Sequence, residues 1–198
     1  MDKNEEFAAE FLTRKGLRPE RFSKQEQRRG KTPDFRVYQD TTLACYCEVK
    51  SIDEDIWLDK QIAAAPPMTI VGGGRPDPTF NRLTDDIHEA VKQCNAVNPD
   101  LHYPNILIFV NNDAKCGLMD LLGVTTGNFF AEGGKRIPIY RWYSEGRIRD
   151  EKYRIHLYIW ITPRVREQFL FNRRHEGHFI RLCELLQVDP RDVHDSGA

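Results

Sequence analysis

Asp34, Glu48 and Lys50 are the residues whose types and spacing point most directly to chemistry. Asp34 follows Pro33, and Glu48 is separated from Lys50 by Val49 alone. A hydrolase acting on phosphodiesters needs carboxylates to hold a hard divalent cation, because Mg²⁺ takes oxygen ligands. It also needs positive charge near the attacking water and the phosphoryl group. Alternate residues of a strand share a face. Glu48 and Lys50 therefore point one way, and Cys45, Cys47 and Val49 point to an apolar side. If the strand opened by Asp34 pairs with this one as a hairpin, the two carboxylates approach each other with an amine beside them. Two like charges held together out of water are costly without a cation, so the arrangement asks for one.

The flanking elements must place these groups. Residues 4–15 read as a helix with Asn4 as N-cap, Glu5 and Glu6 at the positive end of the dipole, and Gly16 as the stop. Residues 17–31 are basic and lack a period, which predicts a loop with a short turn. Two strands follow, 34–39 and 43–51, joined by a tight turn at Asp40, Thr41 and Thr42. The Pro- and Gly-rich stretch 63–80 predicts a long loop; it lacks the ending of a nucleotide-binding P-loop. Leu83, Ile87, Ala90, Val91 and Cys94 fall at helical spacing in a helix over 81–96. The apolar run 105–110 reads as a buried central strand. Further strands are expected over 137–143 and 153–161, with a turn over 144–151, and helices over 164–174 and 178–187, separated by Gly177.

This arrangement resembles the PD-(D/E)XK, or restriction-endonuclease-like, nuclease superfamily. Pro33-Asp34, a hairpin-length gap and then Glu48-Val49-Lys50 look like its motif. Glu5, Ala8-Ala9, Phe11-Leu12 and Gly16 are similar to the helix that opens many such domains. The helix with Ala90 and Gln93 resembles the one that follows the catalytic strand. The likeness covers roughly the first 110 of 198 residues. The order of strands and helices already reads as an α/β fold with helices packed on a mixed sheet, and the likeness implies its restriction-endonuclease-like form, a central mixed β-sheet flanked by helices. It implies one domain over 1–198, with a core to about residue 161 and a helical extension over 162–198. Asp34 and Glu48 are then ligands of Mg²⁺, which Mn²⁺ can replace, with the Val49 carbonyl as a further ligand. Lys50 orients water and offsets charge. Glu5 reaches the metal through water, with Glu6 and Glu10 as rivals, and Gln93 or Lys92 supports the site. The implied substrate is nucleic acid, DNA before RNA, cut by an endonuclease rather than an exonuclease, and a homodimer is compatible with cutting both strands.

Taken singly, these residues have plainer readings: Asp34 as a turn or capping residue, Glu48 and Lys50 as an ion pair, Glu5 as a helix-end acid, Gln93 as a solvated helix residue. A domain of this fold that binds nucleic acid or protein without cutting is the first rival. A metal-independent small-molecule hydrolase or transferase is the second.

The chain's net charge of −1 says nothing of nucleic acid. Nine basic residues stand from Arg14 to Arg36, and an acidic stretch runs from Asp40 to Asp59, as a phosphate-binding surface beside a cation site would need; on charge alone two solvated surface segments are the better reading. Five cysteines without paired zinc spacing, a polar start and no apolar run near the length of a membrane span favour a reducing, cytoplasmic setting. His175, His178 and Cys183 are too loosely spaced for zinc. Trp160 belongs in the core. Trp57 and Trp142 are open to stacking on bases or to partial burial. Tyr140, Arg141, Trp142, Tyr143, Arg147 and Arg149 form a basic, aromatic group.

Overall fold

A computed structural model describes residues 2–53, 57–70, 79–162, 165–191 and 193. The first helix, α1 (Lys3–Arg14), starts one residue before the expected span. Asp2 accepts from the amides of Asn4 and Glu5, and Glu5 returns to the amide of Asp2, which closes a capping box. Ala8, Phe11 and Leu12 form its buried stripe. The basic segment expected as loop contains a short edge strand, β1 (Arg18–Arg21), and a short helix, α2 (Lys24–Arg29), which buries no residue. The hairpin of β2 (Phe35–Gln39) and β3 (Thr42–Ile52) is as expected. Its turn residue Asp40 sits at φ 53°, a left-handed conformation that Asp tolerates.

After β3 come α3 (Trp57–Ala64), α4 (Thr79–Val97), β4 (Asn105–Asn111), α5 (Leu118–Thr126), the small pair β5 (Asn128–Phe130) and β6 (Arg136–Pro138), then β7 (Leu157–Thr162), β8 (Val165–Phe171) and α6 (Glu176–Leu186). Residues 71–78 of the predicted loop over 63–80 lie outside the described residues; α3 runs into the loop's start, and the loop's last two residues open α4.

The central sheet is six-stranded and mixed, in the order β1-β2-β3-β4-β7-β8. The inner strands β3, β4 and β7 run parallel, and antiparallel strands flank them on both sides. Helices cover both faces, as parallel strands require. Ile106, Ile108 and Val110 of β4 pack with Phe11, Leu12, Cys45, Cys47 and Leu182 on the α1/α6 side. Leu107 and Phe109 pack with Leu83, Ile87, Leu121 and Trp160 on the α4/α5 side. Every residue of β4 is therefore buried, which explains its continuous apolar run.

The C-terminal third departs from the sequence expectation. The segment expected as a helix over 164–174 is strand β8, and it completes the sheet beside β7. Its period is two: Phe169 and Phe171 face the α1/α6 core and Leu170 the other. Of the strand expected over 137–143 only Ile137 and Pro138 are in one, as the end of β6, and a 3₁₀ turn occupies Arg141–Tyr143. Residues 153–156 lie before β7, and Gly177 lies inside α6 rather than between two helices. The expected helical extension is thus one edge strand and one helix. Among the described residues no helix is long and apolar enough to cross a membrane. All five cysteines are free and buried.

Candidate active site

The hairpin brings Asp34 beside Glu48 one step past the last β2–β3 pair, Phe35 with Cys47. Two reciprocal bonds lock them. The Asp34 amide donates to Glu48 Oε2 at 3.1 Å, and the Val49 amide donates to Asp34 Oδ2 at 2.9 Å. The carboxyl of Asp34 thus takes the place a β2 carbonyl would have in the ladder. In an extended strand the N–H and C=O of one residue lie on the same edge. The Val49 carbonyl therefore faces the edge where Asp34 sits, while the Val49 side chain joins the opposite core.

Lys50 shares a face with Glu48, as its spacing predicts. Its Nζ lies 2.8 Å from Glu48 Oε1 and donates to Gln93 Oε1 at 3.2 Å. Gln93 on α4 in turn donates to the Thr32 carbonyl at 3.3 Å, tying the helix to the segment that carries Asp34. Lys92 points elsewhere and pairs with Glu89.

Glu48 is only 2% exposed. Burial and the neighbouring Asp34 carboxyl push its pKa up to about 8, against the opposing pull of Lys50. Burial disfavours the Lys50 ammonium, but Glu48, Asp86 and Asp34 outweigh it and hold its pKa above the ordinary value. The site is a compact, polar group rich in carboxylates, which an added cation would relieve.

Two clefts meet at Asp34 and Lys50. One, of about 290 Å³, is lined by Asp2, Asn4, Glu5, Glu48, Ser51 and Asp86 as well. The other, of about 430 Å³, extends past Gln27, Gly30, Lys31, Thr32, Glu89 and Gln93. Of the three acids on α1, Glu5 reaches the site; Glu6 and Glu10 border a separate hollow with Ala9, Thr13 and Arg14. Glu5 is also engaged by Arg21, 3.1 Å away, and by the cap of its own helix. Asp86 and Asp2 were not anticipated from the sequence. Asp86 stands two helical turns before Gln93, a spacing that places both on one face of α4.

Among the described residues no three His, Cys, Asp or Glu side chains converge in a ready-made metal cage. Two carboxylates, a main-chain carbonyl and water do suit Mg²⁺, which keeps several waters and takes one or two carboxylates from protein. Within the basic stretch, ion pairs commit Arg21 to Glu5, Arg36 to Glu26 and Lys31 to Glu89. His175 and His178 gather around His156 rather than with Cys183, at ring separations of 5.1 and 4.6 Å from His156.

Comparison with family models, with curated proteins and with solved structures found no significant match to this chain.

Proposed function

We propose that this chain is a divalent-metal-dependent nuclease on a restriction-endonuclease-like core, hydrolysing phosphodiester bonds and acting on DNA. The observation that carries the reading is the interlocked Asp34–Glu48 pair with the Lys50 ammonium 2.8 Å from it, at the junction of two open clefts. A structural ion pair needs neither the second carboxylate nor an opening to solvent.

In this reading Asp34, Glu48 and the Val49 carbonyl hold Mg²⁺ or Mn²⁺. The bound ion supplies positive charge to the phosphoryl oxygens and acidity to water. Lys50 stands on the cleft side of Glu48, steadied by Gln93. It orients the water that adds to phosphorus and offsets charge as the bridging P–O bond breaks, leaving a phosphomonoester and a hydroxyl. Glu5 orders water at the α1 side of the cleft, and Asp86 keeps Lys50 charged from the α4 side.

The test is incubation of the purified chain with supercoiled plasmid, linear duplex and single strands, in Mg²⁺, in Mn²⁺ and in chelator. Cleavage should require the metal. Asp34→Ala and Lys50→Ala should each lower the rate by about a hundredfold or more. No cleavage of any substrate, or equal cleavage by the variants, contradicts the reading. Binding without cleavage would favour the rival reading of a silent domain of the same fold.

A further inference from the structure

The basic, aromatic surface beyond α4 carries a second inference. Trp142 is 76% exposed and Tyr140 is 72% exposed; among the described residues the other large exposed apolar side chains are aliphatic, apart from Phe129 at 49%. Exposed indole is unfavourable in water, and a loose loop would tend to fold it away. This segment is not loose. Lys152 is buried and donates to the Thr125 carbonyl at 2.8 Å and to Glu145 at 3.0 Å. Ile148 is fully packed in the α4/α5 core. Arg147 bonds to Asn81 and, at 2.9 Å, to Asp85 of α4. Gly146 passes so close to Arg141 that a Cβ there would lie 2.6 Å from its carbonyl oxygen. The indole is therefore held out on a fixed frame.

Around it lie two adjoining hollows that share Arg141 and Gly146. One, of about 340 Å³, is mainly apolar and is completed by Trp142 and Arg147. The other, of about 400 Å³, is polar and adds Arg149 and Arg174. Arg174 stacks on Tyr153 at 4.2 Å. Arg141 and Arg149 are exposed and form no ion pair with a described residue. Glu145 on the rim is taken by Lys152, and Asp150 tempers the positive charge without cancelling it. An open aromatic face next to unpaired guanidinium groups matches a base with an accessible face and its flanking phosphate. A duplex hides its base faces in the stack.

We propose that this surface binds single-stranded nucleic acid, with an unpaired base stacked on Trp142 and the adjoining phosphate held by Arg141 and Arg149. The inference uses residues apart from the carboxylate site and does not rest on hydrolysis. The full chain is titrated, in chelator, against a labelled oligothymidylate, with anisotropy for affinity and tryptophan emission for contact. The strand should bind and quench the emission that Trp142→Phe identifies as that of Trp142. Trp142→Ala should weaken binding about tenfold or more, and Trp142→Phe should retain most of it. Arg149→Ala should weaken binding and flatten its salt dependence. Affinity of Trp142→Ala within about twofold of wild type overturns the proposal, since stacking would then contribute nothing. So does equal binding of a duplex, or Trp142 emission that follows protein concentration alone, which would mark a face between copies of the chain. If the strand binds here and the chain, given metal, cuts neither it nor plasmid nor linear duplex, this inference stands and the nuclease reading falls.

Discussion

Glu48 is where the chemistry of the site and the stability of the fold meet. Its pKa is raised from 4.5 to about 8, chiefly by burial and then by Asp34. Between those values the folded chain holds a proton that the unfolded chain releases. Stability of the metal-free protein therefore falls as pH rises from about 4.5 to about 8, by a few kcal/mol at most. Thermal melts in chelator across this range should show the decline, and Glu48→Gln should flatten it; equal slopes would mean that Glu48 is not the group responsible. Gln93 gives a second prediction at this scale. It lines the cleft and holds Lys50 in place, so Gln93→Ala should lower kcat about tenfold and change KM much less, whereas a solvated helix residue would change neither. The motif residues were legible because a strand's period of two assigns Glu48 and Lys50 to one face without further information. Asp86 and the linkage of Gln93 to Thr32 were less so, because they depend on how α4 lies across the sheet.

At the scale of elements, the sequence was clearest where one periodicity ruled. Helices α1 and α4, the β2–β3 hairpin and β4 stand close to their expected spans. Strand β8 stands where the sequence predicts a helix. Its charged and apolar residues also fit a helical stripe, and only pairing with β7 decides between the two. Helix α5 and the β5–β6 pair are short elements held by packing against α4 rather than by strong local signals. The pairing of β8 has a consequence at its far end, where His156, His175 and His178 meet beside α6. His156 is fully buried and accepts from the Asn105 amide at 2.9 Å through Nδ1. Burial, then the neighbouring histidines, push its pKa down to about 3 from 6.5. The unfolded chain thus takes up a proton that the folded chain refuses, and stability is lost as pH falls from about 6.5 towards 3. His156→Asn, which keeps an acceptor for Asn105 but cannot titrate, should reduce that acid sensitivity in denaturant melts. An unchanged acid slope would place the sensitivity elsewhere. Gly146→Ala tests the frame beneath Trp142 in the same way: displacing the Arg141 carbonyl should shift Trp142 emission, and an unaltered spectrum would show that the segment is not tightly held.

At the scale of the whole molecule, the parallel strands β3, β4 and β7 form a wall covered on both faces, with the carboxylates on β3 where β2 leaves off. The α/β class, with its mixed sheet, followed from the alternation of apolar strands and amphipathic helices. The six-strand order did not, because it is set by crossovers and by an edge strand that local pattern misassigned. The polar clefts lie along α1 and α4, the helices that contribute Glu5, Asp86 and Gln93 to their walls. The account rests on that wall presenting Asp34 and Glu48 to one cation. The direct measurement is calorimetric titration of the purified chain with Mn²⁺ and with Mg²⁺, beside Asp34→Asn and Glu48→Gln. The account predicts saturable binding in the wild type that either substitution abolishes or weakens by at least about tenfold. No heat of binding in the wild type, or unchanged affinity in both variants, would contradict it.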